Sequence, residues 1–131
     1  LANLISEIQL TICSPKIITD KIDWSINNNI NIINETSEIN LENVKCVMTD
    51  VFVSMNDEIN KTKVSLLEKY SVNSELMSSV SDDCIFMHCL PAKVGSEVSE
   101  EVFRGTKSIV WKQAYNRLVA QKKLIQLINW L

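Results

Sequence analysis

Short apolar runs rich in Val, Ile and Cys recur along the sequence at Leu10 to Cys13, Ile30 to Ile33, Val44 to Met48 and Cys84 to Met87, with a short fifth at Ser108 to Trp111. Stretches with apolar residues at helical spacing lie between them. Asp57 to Tyr70 carries Val64, Leu66 and Leu67 among charges, and Ser74 to Val80 is a further helical stretch. Strand signals alternating with helix signals are the mark of crossover connections, which put neighbouring strands parallel. The pattern predicts an α/β fold, with an open, mostly parallel sheet flanked by helices in a Rossmann-like topology. Past Gly105, the stretch Gln113 to Leu131 sets Ala114, Leu118, Gln121, Ile125 and Ile128 on one stripe, with Leu124, Leu127 and Leu131 alongside. This predicts a long terminal helix with a broad apolar face.

At 131 residues the chain has the size of one domain. Its 13 Lys and Arg against 16 Asp and Glu give a net charge of -3, with no block of like charge, which argues against nucleic-acid or membrane-surface partners. The apolar runs fall well short of the ~18 to 20 residues that span a bilayer, and Leu1 opens no basic signal or Arg-rich transit region. A soluble, cytoplasmic domain is expected. Cys13, Cys46, Cys84 and Cys89 show no CxxC spacing, and the first three fall in strand-like runs, which suits free thiols in a reducing compartment. His88 is the single histidine and adjoins Cys89, so no zinc site is expected. With only Gly95 and Gly105, no glycine-rich phosphate cradle can be assembled, and any phosphate must be held by side chains. Leu1 to Ile8 looks helical, yet Gln9 enters a strand without the usual ~2 to 6 connecting residues. Residues 1–131 are therefore expected to be a piece of a longer protein, with residues skipped near Ile8.

Three segments carry candidate chemistry. Asp50 and Ser54 directly follow the run Val44 to Met48, and ligands in open α/β sheets bind at the carboxyl ends of strands. There Asp50 could pair with an ammonium group, although Asp and Ser also suit capping of the next helix. His88, Cys89, Leu90 and Pro91 follow the run Cys84 to Met87, at the same sheet edge. A thiol beside an imidazole suits proton handling, or else plain packing. A cis Leu90-Pro91 bond would turn the Cys89 and Leu90 carbonyls into the cleft. Arg117 is expected in the first turns of the terminal helix, where a cation opposes the macrodipole unless it holds an anion. Its other reading is a surface arginine paired with Glu100 or Glu101.

Together, VMTDVFVSMNDE (Val47 to Glu58), FMHCLPAKVGSEVSEEVF (Phe86 to Phe103) and SIVWKQAYNRLVAQKK (Ser108 to Lys123) resemble the second domain of the ornithine carbamoyltransferase family, in the same order and at similar intervals. The tetrapeptide HCLP separates this resemblance from the sister aspartate carbamoyltransferases, and the pair Ser54-Met55 also points to ornithine. The resemblance implies that Asp50, Ser54 and Met55 bind the amino-acid end of L-ornithine. Cys89 and Leu90 would face carbamoyl phosphate and the reacting amine, with Cys89 catalytic. Arg117 would bind carbamoyl phosphate, and His88 would help polarise the carbamoyl oxygen. The family's pattern has Trp at Phe52, Gly at Asn56, often His at Lys93 and usually Glu at Tyr115. Its Ser-Thr-Arg-Thr-Arg phosphate loop and His-Pro-x-Gln motif, both from the first domain, have no counterpart in this sequence.

The implied reaction is attack of the neutral δ-amine on the carbonyl carbon of carbamoyl phosphate, giving L-citrulline and phosphate without a metal or organic cofactor. Family members form homotrimers, and the last helix is expected to cross back onto the missing first domain, so its apolar face should lack cover here. Two other readings remain: a carbamoyltransferase for putrescine or N-acetylornithine, and a non-catalytic amino-acid-binding module.

Overall fold

The computed structural model describes residues 8–21, 29–53 and 61–129. Two compact units emerge, one from Leu1–Asn40 with Glu58–Tyr70 and one from Leu41–Asp57 with Ser71–Leu131. Strands and helices alternate, and both strand pairs are parallel, so the chain is α/β. The expected helix at Leu1 to Ile8 lies almost wholly outside the described residues.

In the first unit, β1 (Leu10–Cys13) pairs with β2 (Ile30–Ile33) in the register Leu10↔Ile30 to Cys13↔Ile33, with the short helix α1 (Lys16–Thr19) in the connection. Both strands occupy the residues their apolar runs predict. Just past β2, the Asn34 amide donates to the Ser14 carbonyl at 2.8 Å and to Thr19 Oγ1 at 3.1 Å, tying the strand end to α1. The later helix α2 (Lys61–Leu67) runs into a 3-10 turn at Glu68–Tyr70, whose Tyr70 hydroxyl donates to the Asn34 carbonyl.

The second unit is built on β3 (Cys46–Thr49) and β4 (Ile85–His88), parallel and in the register Cys46↔Ile85 to Thr49↔His88. Period-2 alternation in β4 turns Phe86 and His88 inward, and Cys84 just ahead of it is buried as well. Phe86, Val98 and Val110 are 0% exposed and lie in a core with Val72, Met77 and Val102. Two short helices close over it. Asn73 caps α3 (Ser74–Ser78) by accepting from the Leu76 amide at 2.9 Å, and Ser99 caps α4 (Glu100–Phe103) by accepting from the Val102 amide at 3.4 Å. The chain then turns at Gly105, where an added Cβ would stand 2.6 Å from the Glu101 carbonyl oxygen.

Ser108 to Trp111 does not form the expected fifth strand. The Phe86 amide donates to the Lys107 carbonyl and the Ile109 amide to the Phe86 carbonyl, a single parallel rung at Ser108. Helical bonding then takes over, because the Gln113 amide captures the Ile109 carbonyl at 2.8 Å. The terminal helix α5 therefore runs Val110–Ile128 and starts earlier than Gln113. Its apolar face is open to solvent, with Leu118 62% and Leu127 66% exposed. No helix among the described residues is long and apolar enough to cross a membrane.

Because Phe86 sits at 0% exposure between β3 and the Ser108 rung, truncating it leaves a cavity that neither neighbour can fill. Phe86→Ala should cost about 3–5 kcal/mol of unfolding free energy, read from urea titration by circular dichroism. A loss below ~1 kcal/mol would mean that the core closes around the gap far more readily than close packing allows.

Candidate active site

The register of the second unit dictates where the polar side chains meet. Thr49 and His88 are direct partners across β3 and β4, so the residues that follow them, Asp50 and Cys89, leave the sheet side by side at its carboxyl edge. Cys89 Sγ lies 2.9 Å from Asp50 Oδ1 and donates to it. The same carboxylate oxygen accepts from the Val51 amide at 2.7 Å. The Cys89 thiol bond, helped by the Val51 amide, lowers the Asp50 pKa below the ordinary carboxylate value despite some desolvation. Burial pushes the Cys89 thiol up, and the Asp50 bond and charge add to this while Arg117 opposes it. At neutral pH the pair is thus a thiol hydrogen-bonded to a carboxylate, not a thiolate.

Beyond His88 the chain bends sharply. Leu90-Pro91 is cis, as the sequence suggested, and Leu90 has φ 55. That left-handed conformation costs a residue with a Cβ about 1–2 kcal/mol. It is held by the Leu90 amide, which donates to His88 Nδ1 at 3.0 Å. Since Nδ1 accepts, the neutral imidazole carries its proton on Nε2. Nε2 stands 3.4 Å from Glu97 Oε1, both side chains being 0% exposed, without forming a hydrogen bond. Glu97 Oε1 in turn accepts from the Lys93 amide. Both imidazole nitrogens therefore face protein groups, with Nδ1 tied to the backbone of Leu90.

Arg117 lies beyond the first two turns of α5, because that helix begins at Val110. The macrodipole argument for an anion therefore loses force, as the effect fades within the first turn. The pairing with Glu100 also fails, since Glu100 Oε1 takes Arg104 Nε at 2.8 Å. No ion pair to Arg117 is present among the described residues. Instead Arg117 lines an open pocket of about 400 Å³ with Cys89 and Leu90 on one side and Ala114, Leu118 and Gln121 of α5 around it. Asp50 reaches this pocket through its bond to Cys89. Ser54 and Met55 lie outside the described residues.

Ligating atoms of Asp50, His88 and Cys89 lie within 4.8 Å of one another, the spacing of a metal site. Each is already committed: the carboxylate to the thiol and the Val51 amide, His88 Nδ1 to the Leu90 amide. Such a set holds protons and orients a loop; a structural zinc would ask for four free ligands.

Sequence reasoning missed Glu97 and Gln113. Glu97 sits against buried Val98 in a stretch that also buries Val102 and Phe103, so a carboxylate in an apolar segment was the available signal. Gln113 lies three residues after buried Val110, on the inward face of α5, where a polar residue needs a partner. It accepts from the His88 amide at 3.0 Å.

A mostly apolar pocket at the carboxyl edge of parallel strands, with a cation and a thiol in its lining, stands where α/β domains place their ligand sites. Residues 2–128 match the family described as aspartate/ornithine carbamoyltransferase, Asp/Orn binding domain, and the chain belongs to that family. It is 54% identical over 83 residues to an ornithine carbamoyltransferase of Hyperthermus butylicus, covering 63% of this chain and 26% of that protein. Against the ornithine carbamoyltransferase of Rhodopseudomonas palustris BisA53, identity is 42% over 104 residues, or 79% of this chain and 33% of the relative. The chain thus spans only a quarter to a third of these curated relatives. The crystal structure of the anabolic ornithine carbamoyltransferase from Campylobacter jejuni superposes with a TM-score of 0.81 at 29% identity, over 98% of this chain and 45% of that one.

The Asp50–Cys89 bond has a measurable signature. Iodoacetamide should alkylate Cys89 more slowly at neutral pH than it alkylates a free thiol, with the rate climbing only at alkaline pH as the thiolate forms. Asp50→Asn should raise the Cys89 rate severalfold, followed by peptide mapping; an unchanged rate would show that the carboxylate does not hold the thiol proton.

Proposed function

We propose that residues 1–131 are the ornithine-binding domain of an ornithine carbamoyltransferase, and that the full protein moves the carbamoyl group of carbamoyl phosphate to the side-chain amine of L-ornithine. The observation that carries this is the meeting of Asp50 and Cys89 at one strand edge beside the Arg117 pocket, within a chain of the carbamoyltransferase family. In the reaction the δ-amine attacks the carbonyl carbon, a C–N bond forms, and the C–O bond to phosphate breaks. The amine gives up a proton, leaving L-citrulline and inorganic phosphate.

Each described group has a task in that scheme. The ionised Asp50 attracts the α-ammonium of ornithine, a charge-assisted contact, with Ser54 and Met55 completing the amino-acid site. Arg117, a permanent cation with a planar fork of donors, takes the phosphate of carbamoyl phosphate. Cys89, kept protonated, is no nucleophile; it fixes Asp50 and presents Leu90 to the reacting centre. His88 holds Leu90 in its left-handed conformation. Orienting two substrates in this way can supply ~7 to 11 kcal/mol of the barrier, and fixed dipoles around the tetrahedral oxygen add to it.

The same reading places the protein in arginine metabolism, in the cytoplasm, as a homotrimer whose carbamoyl-phosphate-binding domain covers the open face of α5. No metal or organic cofactor enters the scheme.

In the full-length enzyme, Asp50→Ala should lower kcat/KM for ornithine about 10–100-fold, as expected for losing a hydrogen bond to a charged group, while the KM for carbamoyl phosphate moves much less. Citrulline formation with parental ornithine kinetics would remove Asp50 from the site. Cys89→Ala should depress turnover far more than thermal stability, and equal turnover in mutant and parent would leave Cys89 a packing role only.

A further inference from the structure

We infer that Gln113 is a positioning residue for the carbamoyl-phosphate end of the site: its side-chain carbonyl completes the hydrogen-bond ladder on β4 and thereby sets where Arg117 stands against Cys89 and Leu90. This rests on the carbamoyltransferase reading above. In a parallel pair the bonds alternate evenly from strand to strand. On the edge of β4 away from β3, the Phe86 amide donates to the Lys107 carbonyl at 2.8 Å, and the Ile109 amide donates back to the Phe86 carbonyl at 3.0 Å. The next rung would run from the His88 amide to the Ile109 carbonyl. That carbonyl has turned into the first turn of α5 and accepts from the Gln113 amide at 2.8 Å.

The His88 amide, in a residue 1% exposed, is thus left without its ladder acceptor at the point where the chain must deliver Cys89. Gln113 Oε1 supplies that acceptor at 3.0 Å. Because the donor is an amide N–H, the contacting side-chain atom must be the carbonyl oxygen. The same residue therefore binds twice at this junction: its backbone opens the helix, and its side chain extends the sheet by one rung.

Arg117 follows Gln113 by four residues on the same helical face. A helix is stiff over one turn, so fixing Gln113 to His88 fixes the Arg117 backbone relative to the next two residues of the β4 end, Cys89 and Leu90, which share its pocket. A displacement of about 1 Å at a positioning group can cost ~100-fold in rate. Among the described residues, Ala114, Leu118 and Gln121 line the pocket without a hydrogen bond to β4, whereas Gln113 makes that bond from just outside the pocket.

The test uses the full-length enzyme and compares Gln113→Met, which keeps the length but removes the acceptor, with Gln113→Glu, which keeps an acceptor oxygen. Gln113→Met should raise the KM for carbamoyl phosphate about 10–100-fold while the KM for ornithine stays within ~3-fold, and Gln113→Glu should recover most of the difference. Amide hydrogen exchange at His88 should quicken in Gln113→Met and return in Gln113→Glu. If Gln113→Met does not fold, Gln113→Asn, which withdraws the amide by one methylene, serves the same comparison. Unchanged carbamoyl-phosphate kinetics in the acceptor-lacking variant, or a loss shared equally by both substrates and not rescued by Glu, overturns the positioning role alone. A parent enzyme that forms no citrulline overturns the reaction assignment, and the role of Gln113 with it.

Discussion

The parallel register of β3 and β4 is the constraint on which the site depends. Side chains on paired parallel strands advance together, so the partners Thr49 and His88 release Asp50 and Cys89 at the same height. A shift of one residue would turn Phe86 out of the core and send His88 toward solvent, since strand side chains alternate faces. The buried Phe86 and the polar contact at the strand ends thus enforce the same alignment. Apolar packing fixes the position, and the thiol–carboxylate bond reports it.

Around this edge the second unit places polar groups in the interior, and most of them have work to do on the backbone. His88 turns Leu90, Glu97 engages Lys93, and Gln113 receives the His88 amide. Burying such groups costs more than a hydrophobic replacement, the more so because His88 Nε2 and Glu97 Oε2 are left without a hydrogen-bond partner, so their presence marks a loop whose shape apolar packing alone does not dictate. Three side chains, those of His88, Glu97 and Gln113, bond the backbone amides around residues 88 to 93.

Much of this was legible in the sequence. β1 and β2 fall on their apolar runs, and β3 and β4 begin and end within two residues of theirs, because branched and aromatic residues in short blocks permit little else. The juxtaposition of Asp50 and Cys89 followed from placing both after strands, and the motif VMTDV together with HCLP pointed to the family. Ser108 to Trp111 misled, since Ile109 and Val110 read as strand although the lost ladder and the pull of a long helix decide otherwise. Arg117 was placed too near a helix end for the same reason. Glu97 and Gln113 stood out only as polar residues on apolar faces, and what they bond stayed hidden, because their partners are backbone amides that leave no trace in residue identity.

Gly105 carries a consequence of a different kind. With the Glu101 carbonyl 2.6 Å from where a Cβ would be, even alanine would have to push the end of α4 off the start of the segment that pairs with Phe86. Mutational tolerance across this domain will therefore not follow distance from the Asp50–Cys89 edge: a turn with no side chain and no chemistry is as intolerant of change as the polar groups gathered there.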